Sequence, residues 1–286
     1  MANSSRPRSL WHDALWRFRQ NRMAFMGVVL VGILCIVAIL APVITRYEPS
    51  AINYGSLLQG PSGEHWFGTD FLGRDLFSRV VHGARISLLV GVVAVAIAML
   101  IGVPLGLAAG FFGGAVDAFV MRLVDIFLAF PVILLAIAIM SILGPSIFNV
   151  MIALGLVGWT KYARLVRGIV LGLRESEFVT AATALGARSS RILVRHLLPN
   201  SVAPLIVLST FGLAEAVVVE AALSFLGLGV QPPTPSWGGI LNEGRSYMRQ
   251  AAHITTFPGI AIVITILGFN FIGDGLRDAM DPKGVD

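Results

Sequence analysis

The stretch EFVTAATALGARSSRILVRHLLPN, residues 177–200, is a polar and basic island in a chain that is otherwise mostly apolar. Phe178, Ala181, Ala182 and Leu185 recur at helical spacing and predict a short helix. Gly186 follows as the stop, because glycine tolerates the left-handed backbone of a sharp turn. Ser189 is the expected N-cap of a second helix, with Ile192, Leu193 and Leu197 facing inward and Pro199 closing it. The result is a helix–glycine–helix unit with a basic rim of Arg188, Arg191 and Arg195. Such a rim suits an acidic partner surface. Charges alone would set membrane topology; a glycine-hinged pair of helices suggests something more, a handle presented to a soluble partner.

The rest of the chain explains why a handle is needed. Hydrophobic residues make up 56% of the 286 positions and charged residues 13%. A water-soluble domain carries about a quarter charged residues, so the composition excludes one. A helix needs roughly 20 apolar residues to cross a bilayer. Six blocks approach that length: 24–45, 86–112, 118–143, 146–159, 202–226 and 255–271. The uncharged run 126–160 is too long for one crossing, and Gly144-Pro145-Ser146 divides it. The fourth block is short, which predicts that Lys161 and Arg164 sit a turn beyond the apolar core and snorkel to water.

With both termini in the cytoplasm, fifteen of the 21 lysines and arginines fall in cytoplasmic segments and six outside. The positive-inside rule favours that orientation. The net charge of +5 follows from topology, and no aromatic-basic platform points to nucleic acid. Cys35 is the only cysteine, and the five histidines lack metal-ligand spacing, so no metal site is expected. The two lysines, Lys161 and Lys283, belong to no phosphate-binding loop. No Gly-x-Ser-x-Gly motif supports a serine enzyme. No catalytic residue is therefore assigned.

Several charged residues have local expectations. Asp75 and Arg79 are four apart and are expected to pair on one helical face; Asp70 and Asp75 are expected to be structural. Arg122 and Asp125 are expected to neutralise each other. Residues 9–22 place Trp11, Leu15 and Phe18 at helical spacing, as in an interfacial amphipathic helix. Glu215 and Glu220 lie within the fifth block. An ionisable group there costs several kcal/mol unless it meets partners or water, so both are candidate residues of a polar path. Their five-residue spacing puts them on different helix faces.

The hairpin resembles the coupling loop of bacterial binding-protein-dependent ATP-binding-cassette importers. That loop reads Glu-Ala-Ala, three residues, Gly, nine residues, Ile-x-Leu-Pro. Here Thr180-Ala181-Ala182 precedes Gly186 and Leu198-Pro199 at the same spacing, with Thr180 in place of glutamate and His196 in place of isoleucine. The segments HWFGTDFLGRDLFSRVVHGARISL (65–88), EAALSFLGLGVQPPTPSWGGILNE (220–243) and GDGLRDAMDPK (273–283) resemble the C-type permease subunit of dipeptide, oligopeptide and nickel importers.

The resemblance implies an all-α integral membrane protein with six transmembrane helices and the type I importer permease architecture, in the bacterial inner membrane. It implies segments of 1–23 (cytoplasmic amphipathic), 24–84 (first span and extracytoplasmic loop), 85–276 (five-helix core holding the coupling loop 175–200) and 277–286 (cytoplasmic tail). Thr180, Ala181, Ala182, Gly186, His196, Leu198 and Pro199 would couple to ATPases. The implied partners are a homologous second permease, two ATP-binding-cassette ATPases carrying ATP and Mg, an extracytoplasmic solute-binding protein and the lipid bilayer. The cargo would be a peptide; nickel complexes or glutathione are alternatives. A less favoured reading is an ion-coupled secondary transporter working through Glu215 and Glu220, a class that often shows internal repeats absent here.

Overall fold

The structure is a computed structural model that describes residues 16–280. Among these the chain is helical and holds no strand, only a single bridge between Thr69 and Asp75. The main helices are α1 (Arg22–Ile39), α2 (Leu76–Phe112), α3 (Gly114–Leu128), α4 (Val132–Leu143) and α5 (Ile147–Arg174). They continue as α6 (Glu177–Ala184), α7 (Ser189–Phe225), α8 (Trp237–Gly244) and α9 (His253–Met280).

Four of these, α1, α2, α7 and α9, are long and apolar enough to cross a membrane. The third predicted crossing is not one rod. It is broken into α3 and α4, which meet at 91°. Pro131 is the cause: it supplies no N–H and pushes Phe130 out of the helical region. Taken together as one span, the bent pair brings the number of such crossings to five. The fourth block is likewise corrected. It extends into the 28-residue α5, which is long enough but carries Lys161, Arg164, Arg167 and Arg174.

Those charges do not simply snorkel to water, because each of the first three meets an acid on a neighbouring helix. Lys161 reaches Glu215, Arg164 Nη2 lies 2.8 Å from Asp125, and Arg167 pairs with Asp117. Asp125 therefore pairs across helices rather than with Arg122. The break at Gly144 holds as expected, with α4 ending at Leu143 and α5 starting at Ile147.

α2 is the axis of the fold, about 55 Å long at ~1.5 Å per residue. It packs most extensively on α5. The contact runs along Gly102, Gly106 and Gly110, one helical turn apart. A Cβ at Gly106 would stand 2.5 Å from the Ala163 carbonyl, and one at Gly110 would stand 2.7 Å from the Val170 Cβ. Small residues at this spacing let two backbones touch, which replaces the hydrophobic drive that lipid removes. α1 lies along α9 by the same device, at Gly27 and Gly268.

The N-terminal end of α2 is held by the loop before it. Asp75 caps the helix, accepting from Ser78 N at 2.8 Å and Ser78 Oγ at 2.7 Å, and also meets His65 Nδ1 at 2.8 Å. It does not pair with Arg79. Arg79 turns instead to Asp70 and Glu243, which also hold Arg74. The carboxylates are thus structural, as expected, but with different partners. α8 plugs this end: Trp237 is buried and donates to the Val80 carbonyl at 2.9 Å. Asn21 caps α1, while Trp11 and Leu15 of the expected amphipathic helix lie outside the described residues, as does 281–286.

Candidate functional site

The opposite end of α2 carries the hairpin. Its Leu107 and Phe111 pack with Val170 of α5, Val179 of α6, and Ile192 and Leu197 of α7. The first helix stops as predicted. Gly186 takes φ +77°. Its N–H donates to Thr183 O and the next N–H, of Ala187, donates to Ala182 O, both at 3.0 Å. This reciprocal closure needs a left-handed residue at Gly186.

Two local expectations fail. Ser189 is the first helical residue, and Arg188 holds the cap position without a side-chain bond. Pro199 does not close the second helix. The chain passes through a π turn at Leu193–Leu197 and runs on as α7 to Phe225. Proline is accepted because it sits in the first turn after the π segment, where its missing N–H is not needed. The mechanical consequence is direct. The second rod of the hairpin and a transmembrane helix are one continuous element.

The hairpin is anchored on one side and open on the other. Val179, Ile192 and Leu197 are buried, and Ala182 and Leu198 pack against them. Thr180, Ala181, Gly186 and Pro199 are exposed, and no atom lies within 4 Å of where a Gly186 side chain would begin. Leu185 is 88% exposed, the most exposed large apolar side chain described, with Phe178 and Val194 also open. His196 faces the Phe178 ring at a centroid distance of 6.2 Å, joining the two rods. The sequence predicts one stripe of Phe178, Ala181, Ala182 and Leu185. The structure buries Val179 and packs only Ala182 of that stripe, leaving Phe178, Ala181 and Leu185 open.

Glu215 and Glu220 are on different faces of α7, as their spacing required. Glu220 is fully buried and accepts from Ser87 Oγ of α2 and Ser224 Oγ, each at 2.8 Å. Glu215 lines a cavity of about 180 Å³ between α2, the α3–α4 bend, α5 and α7. There it receives Lys161 Nζ at 2.6 Å. A lone lysine or glutamate inside a bilayer costs roughly 3 kcal/mol or more, and pairing offsets much of it. Sequence reading missed Lys161 as the partner. The available signal was opposite charge on two apolar helices: Lys161 just past the apolar part of α5, and Glu215 inside that of α7.

Among the described residues, no cluster of histidine, cysteine, aspartate or glutamate could hold a metal ion.

Comparison with known proteins places this geometry. Residues 102–284 match the family described as binding-protein-dependent transport system inner membrane component, and residues 9–61 match the N-terminal transmembrane domain of oligopeptide transport permease C. The chain is 49% identical over 275 residues to the dipeptide transport system permease protein DppC of Alkalihalophilus pseudofirmus, covering 96% of this chain and 90% of that one. It is 48% identical over 277 residues to the glutathione transport system permease protein GsiD of Escherichia coli, covering 96% and 91%. The fold is shared with the MetNI methionine ABC transporter in an inward-facing conformation, at a TM-score of 0.58, 21% identity, and coverage of 70% of this chain and 96% of that one. A chain whose described residues form apolar helices around one long glycine-ridged helix, with a hairpin packed at one end of it, is thus a multi-pass inner-membrane protein of the binding-protein-dependent transport system inner membrane component family, a permease of the ATP-binding-cassette importer type.

Proposed function

We propose that this chain forms one half of a peptide translocation path and is moved by ATPases that grip the α6–α7 hairpin. Two cytoplasmic ATP-binding-cassette subunits carry the ATP and Mg; this chain holds neither and hydrolyses nothing. A homologous permease supplies the other wall, and an extracytoplasmic solute-binding protein delivers the solute. Both termini and the hairpin lie on the cytoplasmic side, as the distribution of basic residues favours. Thr180, Ala181, Ala182, Gly186, His196, Leu198 and Pro199 make up the coupling surface.

The observation that carries this reading is the continuity of the second rod with α7 through the π turn at Leu193–Leu197. A push on the exposed Leu185 corner would move α7, and with it the wall that carries Glu215. The exposed apolar corner with its basic rim suits a groove that is apolar at its floor and acidic at its edge.

Peptide cargo is supported by the names of the two relatives, one a dipeptide permease and the other a permease for glutathione, itself a tripeptide. The test is reconstitution. Proteoliposomes holding the complete complex should take up dipeptide only with ATP inside and binding protein outside. Uptake driven by a proton or sodium gradient alone would overturn this reading in favour of a secondary transporter. A disulfide formed between cysteines placed at Ala182 and on the ATPase should lock the assembly. Labelling of that cysteine from the outer face would also refute the proposal.

A further inference from the structure

We infer that the Lys161–Glu215 pair is a receptor for the two ends of a free, zwitterionic short peptide. The inference rests on the importer reading and adds the chemical class of the solute at this site. The cavity wall is apolar, with Phe127, Leu154 and Leu208 among its lining. Among the described residues, Lys161 and Glu215 are the only charged side chains that line it. They lie in direct contact, yet each is about two-fifths exposed, at 38% and 41%. Glu220, one and a half turns along the same helix, is sealed among serines instead. The helix therefore buries one carboxylate and leaves the other open to the cavity.

The exposed pair has capacity to spare. An ammonium group has three donors and a carboxylate about four acceptor positions, and the side-chain contacts of this pair are with each other. A solute of single charge would have to part the pair and leave one member unmatched against an apolar wall, which is expensive. A zwitterion need not. Its α-ammonium can replace Lys161 beside Glu215 while its α-carboxylate takes Lys161. Every charge keeps a partner throughout, and the pair re-forms when the solute leaves. The exchange is electroneutral and independent of side-chain identity. Apolar side chains meet the wall. The site so formed favours small molecules with a free amine, a free carboxylate and a tolerant body.

Equilibrium binding to the complete complex in lipid nanodiscs tests this with three radiolabelled probes: dialanine, N-acetyl-dialanine and dialanine amide. Wild type should bind dialanine at least tenfold tighter than either blocked form. Glu215→Gln leaves a lone cation, so the acetylated anion should bind as well as dialanine or better. Lys161→Gln leaves a lone anion, so the amide should gain in the same way. The opposite direction of these two shifts is a signature that a purely structural ion pair does not produce. The neutral double variant should bind all three within about threefold, and it stands in if a single variant fails to assemble. Unchanged ranking in the variants, shifts in the same direction, or no binding of dialanine to wild type would each overturn the inference. ATP-driven uptake by the wild-type complex is measured alongside. Loss of uptake with the charge-dependent ranking intact would count against the importer reading alone.

Discussion

The Ser87 hydroxyl of α2 donates to Glu220 Oε2 of α7 at 2.8 Å, a bond between residues 133 positions apart and fully inside the bundle. Glu220 therefore fastens two helices and does not face the cavity. Glu220→Ala should destabilise the chain by about 2–5 kcal/mol, through the cavity it leaves and the hydroxyls it strands. Glu220→Gln keeps an acceptor for Ser87 and should hold uptake within about twofold of wild type. Thermal unfolding of the purified complex and dipeptide uptake separate the two variants. A tenfold loss of uptake by Glu220→Gln at unchanged stability would place Glu220 on the solute path.

The ridge of Gly102, Gly106 and Gly110 predicts a steep size dependence. Gly106→Leu would drive a side chain into the Ala163 backbone and should abolish accumulation in the membrane. Gly168→Ala, where nothing lies within 4 Å, should accumulate normally. Quantitative immunoblots of membranes read both outcomes.

Gly186 should resist substitution in a graded way. Proline is confined to φ near −65° and cannot take the observed +77°. Gly186→Pro should therefore keep membrane insertion but lower ATP-driven uptake at least tenfold, with ATP hydrolysis no longer stimulated by loaded binding protein. Gly186→Ala costs about 1–2 kcal/mol in the left-handed region and should be intermediate. Parallel assays of ATPase rate and uptake decide the point. Wild-type coupling in the proline variant would remove Gly186 from the hinge.

Asp70 holds Arg74 and Arg79 at the far end of α2, all three being buried. Removing one member of such a cluster leaves charge unmatched in the interior. Asp70→Asn should cost about 3–5 kcal/mol, whereas Asp125→Asn, in an exposed pair with Arg164, should cost less than about 1 kcal/mol. Unfolding midpoints of the two variants provide the comparison.

Where a feature depends on neighbours in the chain, it was legible in advance. The stop at Gly186 follows from one residue's backbone freedom, and the division at Gly144 from a glycine–proline step. The inward placement of Ile192 and Leu197 follows from helical periodicity. Ion-pair partners were not legible. Asp75 and Arg79 satisfy the four-residue spacing rule, yet Arg79 finds Glu243 across the fold and Asp75 finds His65. Local spacing offers a pair worth a few tenths of a kcal/mol, and a buried arginine demands more than that. Pro199 misled for a related reason. Proline stops a helix only where its N–H is required, and the π turn before it removes that requirement.

By itself, the order of residues determined that the protein is a bundle of apolar helices bearing a glycine-hinged polar hairpin, because bilayer length and backbone freedom are local properties. Tertiary structure alone decided which charges meet, which carboxylate of α7 is sealed and which opens on the cavity. It also decided that the hairpin's second rod is continuous with a membrane helix. The long-range charge pairs join side chains 39 to 169 positions apart, and in an apolar medium each charge takes whichever partner the packing delivers.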